Sequence, residues 1–144
     1  LKATTIQSDG FLDVNESFDA VIIAGMGSTL ITDILSHAKQ GDIHYILQAN
    51  DKHEILRAYL SEHGFVITDE HYLFDGHDYI IIEAKRGHAH LDEKDLFLGP
   101  ILKTKKEARG YYHKRIQIYE RLLTQVDNAR QVELKRLIEI YQSV

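Results

Sequence analysis

Gly25-Met26-Gly27-Ser28 is the first stretch of the chain whose residue types suit chemistry. It follows a short apolar run, Ala20–Ala24, and precedes apolar residues at helical spacing. Glycines at a strand-to-helix turn let a ligand approach the backbone, and the amides of the following helix favour negative groups. The same glycines can equally serve to tighten a strand–helix junction. The turn is not the dinucleotide fingerprint, because position 30, where a third glycine would stand, is Leu, and Gln48-Ala49-Asn50 rather than an acidic residue ends the next strand. Gln48 and Asn50 carry side-chain amides that offer donors and an acceptor to the edge of a planar base. Asn50 is also a candidate helix N-cap, alone or together with ligand contact. Asp9-Gly10 reads as a turn. In a parallel sheet it would also place a carboxylate at the ligand edge, beyond the carboxyl ends of the strands.

Other chemistries fit the residues poorly. The nine histidines include His88 and His90 in a polar connector with no third ligand nearby and no His-Glu-x-x-His, so no metal site is expected. Ser28, Asp51 and His53 lack the Gly-x-Ser-x-Gly elbow of a hydrolase. With no cysteine, neither a disulfide framework nor thiolate chemistry is available. Lys103, Lys105, Lys106, Arg109, Lys114 and Arg115 cluster near Tyr111 and Tyr112. Basic residues among aromatics suit phosphate contact and base stacking, although Tyr112 also fits a helix seam.

These groups need a scaffold, and the hydrophobic pattern supplies one. Ala20–Ala24 reads as a strand buried on both faces, and Ile43–Leu47 as the next apolar strand. Each precedes a helical pattern: Leu30, Ile31, Ile34, Leu35 and Ala38, capped by Ser28 or Thr29, then Ile55, Leu56, Tyr59 and Leu60, capped by Asn50 or Asp51 and closed by Gly64. That order is parallel α/β. Phe65–Phe74 and Tyr79–Ala84, joined by Asp75-Gly76-His77-Asp78, read as an antiparallel hairpin at the far edge of the sheet. Lys2–Ile6 reads as a short opening strand. Beyond Gly99-Pro100, Tyr112, Ile116, Tyr119, Leu123 and Val126 step as a heptad seam. Asp127-Asn128 breaks it, and Leu134, Leu137, Ile138 and Tyr141 resume a stripe, giving a helical coiled-coil hairpin. The expected division is therefore 1–98, an α/β portion, and 99–144, a basic helical portion.

The charge follows the same division. The whole chain of 144 residues is at −5, yet residues 1–100 hold 7 basic and 17 acidic side chains, and residues 101–144 hold 10 and 5. Such a split suits a second module that meets a polyanion, or simply a solvated helical surface. No apolar run is long enough for a transmembrane helix, and the expected compartment is the cytoplasm.

Taken together, Ile23-Ala24-Gly25-Met26-Gly27-Ser28-Thr29-Leu30-Ile31, Leu47-Gln48-Ala49-Asn50, Leu56-Arg57-x-x-Leu60-x-x-x-Gly64-Phe65, the Asp-Gly hairpin with Tyr79-Ile80-Ile81, and Leu98-Gly99-Pro100-Ile101 resemble the bacterial tRNA adenine-22 N1-methyltransferases. Ser28 stands where that family usually has Gly, and Ala49 where it usually has Pro. The resemblance covers nearly the whole chain and implies a Rossmann-like class I methyltransferase fold that uses S-adenosyl-L-methionine and tRNA. It implies cofactor contacts at Asp9, Gly10, Ala24, Gly25, Met26 and Gly27, substrate contacts at Gln48 and Asn50, and tRNA contacts in the basic helical hairpin. The glycine-rich first strand and loop of such enzymes has no counterpart after Leu1. Two βα units are thus expected to be absent, which would leave the 144 residues alone inactive, weak in binding the methyl donor, and prone to self-association through an exposed sheet edge. Two rival readings are a non-enzymatic α/β adaptor whose coiled coil binds a protein, and another Rossmann-like nucleotide-binding enzyme.

Overall fold

The computed structural model describes residues 2–144. Four strands form one sheet in the order β1-β2-β4-β3. Strand β1 (Ala20–Met26) pairs in parallel with β2 (His44–Ala49), as the two apolar runs require. Strands β3 (Phe65–Asp75) and β4 (His77–Arg86) form the expected antiparallel hairpin, turning at Gly76 with φ +70°. The hairpin joins the sheet through β4, which runs antiparallel to β2. A register shift between Ile67 and Asp69 bulges β3, which preserves the inward alternation along a long strand.

Helices α1 (Ser28–Leu35) and α2 (His53–Glu62) follow β1 and β2. The sheet face carrying Tyr45, Leu47, Ala49, Ile80, Ile82 and Ala84 is buried. The opposite face carries Ile22, 72% exposed, and Leu73. Strand β1 is therefore buried on one face only, which corrects the expectation of a strand enclosed on both. Lys2–Ile6 is not a strand. A strand needs a hydrogen-bonding neighbour, and among the described residues none pairs with this segment.

Helix α1 ends at Leu35, short of Ala38 at the end of the expected stripe, and its capping differs from the expectation. Neither Ser28 nor Thr29 is its cap: Gly27 holds that position, and the Ser28 amide donates to Asp51 Oδ1 at 3.3 Å. Asp51 thus caps α1 from the start of the neighbouring βα loop, while Lys52, at φ +47°, precedes α2 without a side-chain cap. A further helix, α3 (Glu93–Leu98), occupies the end of the stretch expected to be a polar connector. Asp92 and Asp95 close it with a reciprocal capping box.

Two helices complete the chain, α4 (Arg109–Leu123) and α5 (Asn128–Gln142), packed on each other. Asp127 caps α5 by accepting from the Arg130 amide at 2.9 Å. The heptad residues Tyr112 and Tyr119 are buried and meet Tyr141 of α5 at ring separations of 5.9 and 5.6 Å. The pair also packs on the rest of the molecule. The Tyr112 hydroxyl donates to Leu98 O, and the Tyr111 ring lies 5.6 Å from that of Tyr72 on β3.

Candidate functional site

The carboxyl ends of β1 and β2 lie side by side, and a single glutamine ties them together. Gln48 Oε1 accepts from the Gly25 amide at 2.8 Å, while its Nε2 donates to Ala49 O at 3.0 Å and to Asn50 Oδ1 at 3.3 Å. The Asn50 backbone N–H in turn donates to Met26 O at 2.9 Å. Ala24, Gly25, Met26 and Gly27 are thereby brought together with Gln48 and Asn50, as the sequence pattern predicted. Gly25 has φ +78°, a left-handed conformation that favours glycine, and a Cβ there would meet nothing within 4 Å. The turn therefore presents bare backbone beside open space.

Asn50 is exposed and is not the cap of α2, which leaves the edge of its amide turned to solvent. Asp51 is occupied with α1: its carboxylate holds the Ser28 amide, and its carbonyl accepts from Ser28 Oγ at 2.6 Å. His53 Nε2 lies 3.1 Å from Ala49 O. Burial, aided by the Arg57 charge, pushes its pKa down to about 4, so the ring is neutral near pH 7.

Asp9 is exposed in a loop braced by Ser8, whose Oγ donates to Gly10 O at 3.0 Å. Gly10, at φ +60°, lies against Ile34; a Cβ there would sit 3.1 Å from Ile34 Cγ2. The Asp9-Gly10 loop is thus seated on α1, the helix that begins directly after the glycine turn.

The basic residues separate into two groups. Lys103 pairs with Asp95 at 2.6 Å, Lys105 with Asp69 at 2.6 Å and with Glu70 O, and Lys114 with Asp78 at 3.0 Å. Arg115 lies over the Tyr119 ring and donates to its hydroxyl. Lys106 and Arg109 are exposed and form no ion pair among the described residues. Four of the six cations therefore also brace the fold, and two stand free.

Two features had no signal along the chain. One is a cavity of about 780 Å³ between the end of β2, the β3–β4 turn and the α4–α5 pair, reached by Gln48, Asn50, His77, Tyr111 and Arg115. The other is on the paired strands β3 and β4 at the less covered sheet face, where Asp69, His71 and Glu83 place ligand-type atoms within 4.8 Å of one another. There His44 and His71 pair with Glu83 at 2.9 and 2.7 Å, so these groups already satisfy each other. Sequence spacing pointed only to His88 and His90.

The sequence profile of TrmK, tRNA (adenine(22)-N(1))-methyltransferase, matches residues 2–143. The chain belongs to this family. Its fold is also that of solved structures. TrmK of M. capricolum, in complex with S-adenosyl-homocysteine, is 26% identical with a TM-score of 0.83, and the match covers 96% of this chain and 66% of that one. For the m1A22 tRNA methyltransferase TrmK of B. subtilis the identity is 26% and the TM-score 0.71, covering 87% and 62%. A protein of the NADB-Rossmann superfamily from Streptococcus agalactiae gives 26% and 0.84, covering 94% and 64%. The chain thus spans under two thirds of the length of these TrmK-like structures. Among curated proteins, none matches it. The sheet and its flanking helices are Rossmann-like, as the family resemblance implied.

Proposed function

We propose that this TrmK chain takes part in S-adenosyl-L-methionine-dependent methylation of N1 of an adenine in tRNA, at position 22. The observation that carries the reading is the Gly25–Gln48–Asn50 clasp at the carboxyl ends of two parallel strands, where open α/β sheets hold their ligands. The bare backbone of Ala24–Gly27 and the Asp9 carboxylate fit the methyl donor: the first leaves room for close approach, and the second accepts hydrogen bonds from hydroxyl or amino groups. When bound, the donor supplies an electrophilic methyl group on a sulfonium.

Adenine N1 has an in-plane lone pair, so no side chain must first remove a proton. The work left to the protein is alignment and fixed dipoles. N1 lies on the Watson–Crick edge, so the base enters unpaired or flipped out. Gln48 acts as a positioning residue, because both ends of its amide are committed within the protein. Asn50, held by Gln48 and Met26, orients the base. The neutral His53 ring adds no charge beside a product that is itself cationic.

The test is methylation of tRNA with the modified position mapped. Asn50→Ala is expected to lower kcat by about a hundredfold, the scale of a lost orientation, with the melting temperature unchanged. Methylation at an unaltered rate in that variant would remove Asn50 from the reaction. Wild-type protein that contains this chain, binds both tRNA and S-adenosyl-L-methionine and still leaves adenine 22 unmodified would remove the reading itself.

The helical portion is proposed to hold tRNA, and here the two free cations matter most. Lys106→Glu with Arg109→Glu is expected to weaken tRNA binding by about tenfold or more at low salt. The dependence of affinity on salt should also become shallower, by about one unit of slope for each phosphate that the variant no longer engages. Lys105 is unsuited to this test because reversing it would strand Asp69. Salt-independent or absent tRNA binding by the wild type would favour a protein-binding adaptor.

A further inference from the structure

Arg115 stands out among the cavity's cations. Lys114 is neutralised by Asp78 and Arg130 by Glu133, and the unpaired Lys52 is exposed to solvent, whereas Arg115 is half-buried with no carboxylate within 4.0 Å of its guanidinium among the described residues. Its Nε is buried without a hydrogen-bond partner. One face of the guanidinium rests on the Tyr119 ring, 4.8 Å from the centroid, and its remaining polar contact is with the neutral Tyr119 hydroxyl. Asp78 acts on Arg115 only from beyond ion-pair distance, and a cation half removed from water with no carboxylate in direct contact is costly, a cost that an anion entering the cavity offsets. Arginine suits a phosphate in particular, through its planar fork of donors.

The rest of the lining defines what carries the anion. Tyr79, Phe97 and Tyr111 offer aromatic surface on which a base can stack. Asn50 and Gln48 stand at the β2 end of the same space. A volume of about 780 Å³ is ample for one nucleotide. The cavity also has walls from both portions of the chain, so the helical pair encloses the site as well as lying beside it.

We propose that this cavity receives one extruded nucleotide of the RNA substrate, with Arg115 binding its phosphate while the aromatic lining holds its base. The inference rests on the methylation reading for the identity of the base, but the phosphate contact is tested separately. The probes are adenosine 5′-monophosphate, adenosine 3′-monophosphate and adenosine, titrated into the 144-residue chain by calorimetry and followed by tyrosine fluorescence. At least one monophosphate is expected to bind about tenfold or more tightly than adenosine. Arg115→Ala should erase that preference and leave adenosine binding in place, and Arg115→Lys should restore part of it. Should Arg115→Ala fail to fold, Arg115→Lys and the wild-type ratio still decide the matter.

Equal affinity for nucleotide and nucleoside overturns the proposal, as does no binding of any probe at millimolar concentration. A phosphate preference that survives in Arg115→Ala also overturns it, because the phosphate then sits elsewhere, for example in the loops at Asp9 and Gly25. Wild-type protein that methylates tRNA yet shows no phosphate preference keeps the function and loses this pocket. An Arg115-dependent preference in a protein that leaves tRNA unmodified keeps the pocket and loses the function.

Discussion

Glu70→Ala is expected to lower the unfolding free energy by about 3–5 kcal/mol, the usual cost of removing one partner from a buried ion pair. Glu70 on β3 is fully buried and Arg57 on α2 nearly so. Arg57 Nε donates to Glu70 Oε1 at 2.8 Å, and Glu70 Oε2 accepts from the amides of Ile101 and Leu102 at 2.9 and 2.8 Å. Without the carboxylate, Arg57 keeps only the carbonyls of Leu96 and Phe97 at 2.8 and 3.3 Å, and two amides lose their acceptor. Leaving such donors unpaired adds about 1–3 kcal/mol each if water cannot reach them. Since small domains are stable by only about 5–15 kcal/mol, the variant is close to unfolding. Urea denaturation at neutral pH measures the loss. Replacing both partners, Arg57→Met with Glu70→Leu, is expected to cost less than Glu70→Ala alone, because no buried charge is then left. A Glu70→Ala loss below about 1 kcal/mol would show that water reaches the pair.

This pair also joins the parts that form the site. Arg57 sits on the helix that follows Asn50, and Glu70 holds the backbone where the chain turns toward α4. The cavity at Arg115 has walls from both sides of that junction. Loss of Glu70 is therefore expected to disturb the candidate site as well as stability, although no ligand need touch it.

The sequence announced what depends on local order. Apolar runs followed by helical stripes located β1, α1, β2 and α2, and the Asp-Gly turn located the β3–β4 hairpin. The glycine turn and the Gln48–Asn50 strand end were legible as neighbours because parallel strands bring their carboxyl ends to one edge. What escaped depends on partners distant along the chain. Asp51 looked like a cap for the helix after it, yet it serves the helix beginning at Ser28. Arg57 and Glu70 sit at core positions of α2 and β3, and each looks like a misplaced charge until the other is beside it. The lysines at 103, 105 and 114 formed a basic run in sequence, whereas in space each meets an acid from the sheet or α3. Lys2–Ile6 shows the converse case: strand-like composition without a pairing neighbour stays irregular.

Gly99 gives the second large effect, and it tests the same junction from the backbone side. It sits at φ +88°, ψ +130°, just after α3, in a region essentially confined to glycine. The side-chain space is also taken. A Cβ there would lie 2.5 Å from Glu70 Oε2 and 2.8 Å from Arg57 Nη2. The ends of Glu and Arg chains usually swing away at little cost, but these two are hydrogen-bonded and enclosed. Gly99→Ala must therefore distort the backbone, the ion pair or both, and is expected to cost about 2–4 kcal/mol, combining about 1–3 of backbone strain with the disturbed pair. The two causes separate in a double-mutant cycle. In the Glu70→Ala background the two clashing carboxylate oxygens are gone and Arg57, released from Glu70, is freer to move aside, so Gly99→Ala should cost little beyond its backbone strain, and the combined loss should fall short of additivity by about 1 kcal/mol or more. Strict additivity in urea denaturation would mean that backbone conformation alone demands glycine at 99, and that the pair yields without cost.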